Sequence, residues 1–364
     1  MDNPLLPSIL HTLAQEFLWN AEHTLADSSP FYEKLARRIA NDPEILALAA
    51  HAQFHQPAMN LFFAAAHYLL LRGADDPLAL FYADLARIPN PQDDPYPIFR
   101  AFCLNHADEI IALVSTRRVQ TNEVARCALF LPAFTLISKR IATQPFVLIE
   151  IGSSAGLNLN WDRYGYEYGD ENLCGDVASP VKLKCELRGA VRPPLPKEGE
   201  RYGERSLPPR VISRTGIDLN PNDVFDDDEM MWLRALVWPE QRERAERLQN
   251  AIVLAREFPP RILQGDALEL APRLIQETPR ETPIVLFHSF VLNQVPAEIR
   301  ARYFDLLAEN SAGRILFDVA VEPSEWPCPL VLTTFQNGER AQEILATCDY
   351  HGRWVEWKGE RLSF

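Results

Sequence analysis

The chain has 364 residues, 47% of them apolar, and a formal charge of −14 from 36 basic and 50 acidic side chains. That length and apolar content provide for two ordinary domains, each with its own core. The acidic balance, with no compact Lys/Arg stripe, argues against a nucleic-acid or anionic-membrane partner and reads as plain solubility. Six scattered cysteines without C-x-x-C spacing read as reduced, mostly buried thiols rather than a disulfide framework or a zinc site. No basic N-terminal region leads into an apolar stretch, and no apolar run reaches about 20 residues. The expectation is a cytoplasmic protein without a membrane span.

Residues 1–143 read as a helical domain. Ile9, Leu10, Leu13, Phe17, Leu18 and Leu25 recur at the spacing of one buried helix face. Ser29-Pro30 and Asp42-Pro43 each look like an N-cap followed by a first-turn proline. Apolar periodicity continues over 59–71 and 78–88, residues 89–97 form a breaker-rich loop, and helices are predicted near 98–115 and 121–142.

From 144 onward the texture changes to that of an α/β domain. Strands are predicted at 146–151, 210–217, 261–265, 283–288 and 313–320, with long helices at 229–257 and 296–310. Such alternation implies a parallel, doubly wound sheet. Residues 161–209 interrupt the first crossover. Within them 164–168 and 181–187 alternate with period 2, which predicts a small antiparallel hairpin insertion, and 190–209 reads as surface loop. Two further alternating segments, 329–335 and 353–358, read as antiparallel strands at a sheet edge.

The most informative segment is Phe146-Val-Leu-Ile-Glu-Ile-Gly-Ser-Ser-Ala-Gly-Leu157. A short apolar run carries Glu150 near its end and meets a turn from Gly152 through Ser153 and Ser154 to Gly156. Glycines there let the backbone turn sharply and approach a ligand. Asp218, followed by Leu219, ends the second strand, and Asp266, followed by Ala267, ends the third. Carboxylates at consecutive strand ends converge on one crevice of an open sheet. One after the second strand can accept both ribose hydroxyls, and one after the third an adenine amino group. The plainer reading is that Asp218 and Asp266 cap helices. The dinucleotide fingerprint fits less well, because Ser154 stands where its second glycine belongs. A P-loop and a hydrolase nucleophile elbow are absent.

His288, Ser289 and Asn293 end and follow the fourth strand, where a substrate would meet a cofactor lying across the sheet. His288 is the candidate general base, or else a satisfied structural histidine. Asn158, Trp161, Arg163 and Tyr164, just after the glycine turn, form a candidate substrate wall. Trp161 and Tyr164 also read as ordinary hairpin core. Asn122 lies in a capped helix start ahead of the first strand.

Taken together, Glu150-Ile-Gly-Ser-Ser-Ala-Gly-Leu-Asn-Leu159, Asp162-Arg-Tyr164, Gly216-Ile-Asp-Leu-Asn-Pro221, Gln264-Gly-Asp-Ala267 and His288-Ser289 resemble a bacterial domain-of-unknown-function family. Ser29-Pro30-x-Tyr32 and Thr121-Asn122-Glu123 extend the likeness over nearly the whole chain. What the resemblance implies is a C-terminal half similar to Rossmann-like S-adenosylmethionine-dependent methyltransferases. Glu150, Gly152 and Gly156 would then match the first methyltransferase motif, Asp218 the ribose-binding acid and Asp266 the adenine-side acid. The expectation is methyl transfer from S-adenosylmethionine to a small molecule or protein side chain, with no metal. The alternatives are a non-catalytic nucleoside-binding or regulatory protein of the same fold, and a nicotinamide-dependent oxidoreductase.

Overall fold

The computed structural model describes residues 6–86, 94–120, 122–169, 173–196, 209–323 and 326–358. Most of the predicted loops 89–97 and 190–209 lies outside these residues. The chain divides into two units, 1–121 with 226–249, and 122–225 with 250–364. The predicted boundary at 143 is therefore corrected: the last predicted N-terminal helix belongs to the sheet-containing unit, and a later segment belongs to the helical one.

The first unit opens with α1 (Leu6–Asn20), which runs on through a π-helical turn at Ala21–Leu25. It continues with α2 (Pro30–Ile39), α3 (Pro43–Ala49), α4 (Ala58–Leu71), α5 (Tyr96–Asn105) and α6 (Ala107–Thr116). The two predicted proline starts are present. Ser29 Oγ accepts from the Tyr32 N–H at 3.3 Å, and Asp42 from the Glu44 and Ile45 N–H groups. These caps satisfy donors that the first helical turn leaves unpaired. The predicted helix at 98–115 is two helices, broken at His106. The one at 78–88 is only a 3₁₀ turn at Pro77–Phe81. Tyr82 leaves the helical region there and buries its ring against His67, 4.9 Å between centroids.

In the second unit, α7 (Cys127–Arg140) precedes an eleven-stranded sheet. Its strands are β1 (Phe146–Ile151), β2 (Gly165–Tyr168), β3 (Leu173–Gly175), β4 (Lys182–Arg188), β5 (Val211–Asp218), β6 (Ile262–Gln264), β7 (Ile284–Ser289), β8 (Ile315–Val321), β9 (Cys328–Gln336), β10 (Glu339–Cys348) and β11 (Trp354–Trp357). Their spatial order is β3-β2-β4-β11-β10-β9-β8-β7-β1-β5-β6. The five strands that alternate with helices are mutually parallel, in the order third, second, first, fourth, fifth. β1 sits between β5 and β7 and is buried on both faces, which explains its near-continuous apolar run.

Between β5 and β6 the chain contributes α8 (Asp227–Ala235) to the first unit, followed by α9 (Arg242–Glu257). The single long helix predicted over 229–257 is thus two, because Pro239 carries no N–H and cannot continue a helix. The crossovers are completed by α10 (Ala267–Glu277) and α11 (Ala297–Glu309).

Three predicted strand arrangements are corrected. β2 and β4 run parallel, and the antiparallel partner of β2 is the short β3. The insertion is not a separate hairpin, since β4 joins the main sheet through β11. β9 and β11 are interior strands, flanking β10, which the sequence pattern did not predict. Among the described residues no helix is long and apolar enough to cross a membrane, and all six cysteines are buried free thiols.

Candidate functional site

Open parallel sheets bind ligands outside the carboxyl ends of their strands, at the point where strand order reverses. Here that point is β1, flanked by β5 and β7 in register, Glu150 opposite Gly216 on one side and Phe287 on the other. The turn after β1 needs three residues with positive φ: Gly152 (+69°), Ser154 (+52°) and Gly156 (+68°). A Cβ at Gly156 would lie 2.8 Å from Pro260, and one at Gly152 would overlap the side chain of Val291. Both glycines are therefore required by conformation and by close packing.

Asp218 ties the two neighbouring strand ends together. Its Oδ2 accepts from the Ser154 N–H and its Oδ1 from the Asn220 N–H, both at 2.7 Å. It is not a helix cap. Leu219 beside it is 64% exposed. Asp266, by contrast, is the N-cap of α10, accepting from the Leu268 N–H at 2.8 Å, and Ala267 is the first residue of that helix. The cap reading of Asp266 accounts for its position in full.

Glu150 is buried, and its Oε1 accepts from Asn158 Nδ2 at 3.1 Å. Burial pushes its carboxyl well above the usual carboxylate range, reinforced by Asp218 and opposed by the Asn158 hydrogen bond and Arg126. Asn122 Nδ2 donates to the Ser153 carbonyl at 2.7 Å, drawing the start of the second unit onto the turn. Glu150 Oε2, Ser153 Oγ and Asn122 Oδ1 are all buried without a hydrogen-bonding partner among the described residues. An unpaired buried polar atom costs about 1–3 kcal/mol, and three such atoms cluster around this one turn.

Because the folded Glu150 carboxyl titrates above its ordinary value of 4.5, its stability contribution is present at low pH. It is lost as pH rises through the folded value. Glu150→Gln is isosteric and carries no such dependence. At neutral pH it is expected to raise unfolding stability by about 0.5–2 kcal/mol, the gain shrinking below pH 4.5. Urea titrations of both forms at pH 4 and pH 7 measure the difference.

The segment after the turn is mainly structural. Trp161 is fully buried and packs on Phe134 at 5.2 Å, and the Tyr164 hydroxyl donates to the Leu157 carbonyl at 2.5 Å. Arg163 lies 3.5 Å over the Phe258 ring. Asp162 forms a two-pronged pair with Arg214, at 2.5 and 2.8 Å. The substrate wall expected from Asn158, Trp161, Arg163 and Tyr164 is thus corrected: they hold Glu150 and the core.

His288 is corrected as a general base. It is 1% exposed, with Nδ1 at 2.7 Å from Glu322 and Nε2 at 3.3 Å from Asp318. Burial opposes its charge, but Asp318 and Glu322 outweigh burial and raise its pKa to about 10. An imidazolium with both nitrogens engaged accepts no proton at neutral pH. The Tyr303 hydroxyl donates to the other Asp318 oxygen at 2.7 Å. Glu322 in turn accepts the N–H groups of Val291, Leu292 and Asn293 at 3.0, 3.2 and 3.0 Å. Asn293 therefore enters through its backbone. Ser289 Oγ accepts from Arg126 Nη1 at 3.2 Å.

Sequence reasoning missed Asp318, Glu322 and Tyr303. The available signal was an aspartate inside the apolar run Ile315–Val321, which is expensive to bury unless paired. It also missed a line of rings running outward from the end of β7. Phe290 meets Tyr350 at 5.5 Å, Tyr350 meets Trp326 at 5.0 Å, and Trp326 is 58% exposed. Among the described residues no three His, Cys, Asp or Glu side chains are grouped to hold a metal ion.

Neither a curated protein nor a solved structure matches the chain. A family model described as an uncharacterized protein conserved in bacteria (DUF2332) matches residues 14–357. With almost its whole length covered by that model, the chain belongs to this bacterial family.

Proposed function

We propose that the second unit binds an adenosyl ligand at the carboxyl ends of β1 and β5, and uses S-adenosylmethionine to methylate a small molecule or a protein side chain. The observation that carries this reading is the trio of buried, unpartnered atoms around one turn: Glu150 Oε2, Ser153 Oγ and Asn122 Oδ1. Two amide or carboxyl oxygens and a hydroxyl are suited to a ligand ammonium group. Asp218, one strand away, is a carboxylate of the kind that accepts from hydroxyl donors, and exposed Leu219 offers an apolar face for a flat base. Strand order supports the reading, since first, second and fourth parallel strands meet here.

The polar residues thus fit the group, whereas the space against Gly152 is filled by Val291. S-adenosylmethionine, when bound, supplies an electrophilic methyl group. The chain's own contribution is to hold ligand and acceptor in line, which accounts for much of the barrier reduction in such reactions. His288 takes no proton in this scheme. That same unavailability favours the second reading, a nucleoside-binding protein without turnover.

Full-length protein with S-adenosylhomocysteine at a hundredfold excess over its dissociation constant is expected to gain about 2.7 kcal/mol of stability, seen as a raised thermal midpoint. Leu219→Glu, at an exposed position, is expected to leave the unliganded midpoint unchanged and to abolish the shift. No shift at millimolar ligand, or a shift that persists in Leu219→Glu, overturns the adenosyl site. Methyl release from labelled S-adenosylmethionine into extracts separates enzyme from binder.

A further inference from the structure

Residues 290–293 cross the carboxyl end of β1 immediately after β7. Val291 lies so close to Gly152 that a methyl on the glycine would overlap it. The segment is pinned, because both Glu322 oxygens take its three consecutive N–H groups. His288 pins Glu322 at 2.7 Å, and Asp318 and Tyr303 brace His288 from β8 and α11. Phe290, at the start, has φ of +59° and donates its N–H to the Val321 carbonyl at 3.2 Å. A bulky residue in the left-handed region is held there only when its surroundings over-determine it. Four side chains and a strained backbone thus fix one valine over the glycine whose lack of a side chain the site requires.

We propose that Glu322 is a positioning residue of the nucleoside site: through residues 290–293 it sets Val291 against Gly152, and a ligand reaching the turn must displace that valine. This rests on the adenosyl reading above. Binding to a site that is open only part of the time is weakened by the open fraction. Loosening the segment therefore tightens binding, and the ordinary expectation for removing a wall residue is the opposite.

The experiment measures S-adenosylhomocysteine affinity by calorimetry for wild type, Val291→Ala, Glu322→Ala and the double variant, with amide exchange of residues 291–293 followed in parallel. The expected result is tightening of about fivefold or more in each single variant, with no further gain in the double, because both act through one segment. Glu322→Ala also loses amide protection at 291–293 without ligand, which a distant structural effect would not produce. Val291→Ala changes only a partly exposed side chain, so it tests the proposal even if Glu322→Ala fails to fold. Unchanged or weaker binding in Val291→Ala, or retained protection at 291–293 in folded Glu322→Ala, overturns the proposal and leaves the adenosyl reading standing. Absence of binding in all four proteins overturns the adenosyl reading, and this proposal with it.

Discussion

Asp318→Asn is expected to destabilise the sheet-containing unit by about 3–5 kcal/mol, the range for removing one partner of a buried charge pair. The aspartate has no exposed surface and stands between an imidazolium and a tyrosine hydroxyl. Its replacement leaves His288 with one carboxylate instead of two, and an amide N–H₂ now faces one of two donors. The effect carries a pH signature whose sign follows from His288. Its folded pKa of about 10 exceeds the ordinary 6.5, so the stabilisation is fully present below 6.5 and is lost as pH rises through 10. The gap between wild type and Asp318→Asn is therefore expected to be constant from pH 5 to 6.5 and to narrow towards pH 10. Urea midpoints across that range test it, and a gap that widens with pH refutes the charged assignment of His288.

Gly152→Val is expected to cost about 2–5 kcal/mol, from about 1–2 for a branched residue in the left-handed region and about 1–3 for overlap with Val291. Gly338→Ala separates the two contributions. Gly338 has φ of +86° and nothing within 4 Å of an added Cβ, so only the conformational cost, about 1–2 kcal/mol, applies. Combining Gly152→Val with Val291→Ala is expected to recover most of the overlap cost and none of the conformational cost. Thermal midpoints of the four proteins decide the matter. Equal losses at Gly152 and Gly338 would show that contact with Val291 is not what demands glycine.

The parallel strands were legible in the sequence because each is a short apolar run bounded by breakers, and β1, β7 and β8 are buried on both faces. Phe146–Ile151 coincides with its prediction, and the other four differ from theirs by one or two residues. β10 was not legible by periodicity, since its first half, Glu339–Gln342, is exposed on both faces. A local signal was present nonetheless. Asn337-Gly338, both with positive φ, is a two-residue hairpin turn between β9 and β10. Parallel pairing of β2 with β4 could not be read locally, because alternation reports burial and carries no direction.

At the candidate site, the turn and the carboxylates were found because glycine and strand-end acids are conspicuous in sequence. Their partners were not. Whether His288 is a base or a locked cation depends on Asp318 and Glu322, 30 and 34 residues away. Asp266 illustrates the reverse case, a strand-end acid whose local role as a cap suffices.

The excursion between β5 and β6 has a consequence for how this chain is made. α8 supplies the helical unit with the Asp228 carboxylate that accepts from Tyr68, the Trp232 indole that donates to the Arg118 carbonyl, and the Ala235 carbonyl that His67 meets. None of these exists when residue 121 leaves the ribosome. At about 5–20 residues per second the missing piece follows several seconds later, after β1 to β5 have already been synthesised. The N-terminal helices must therefore wait with an apolar face uncovered, and a nascent chain stalled anywhere before residue 235 is a natural client for chaperones.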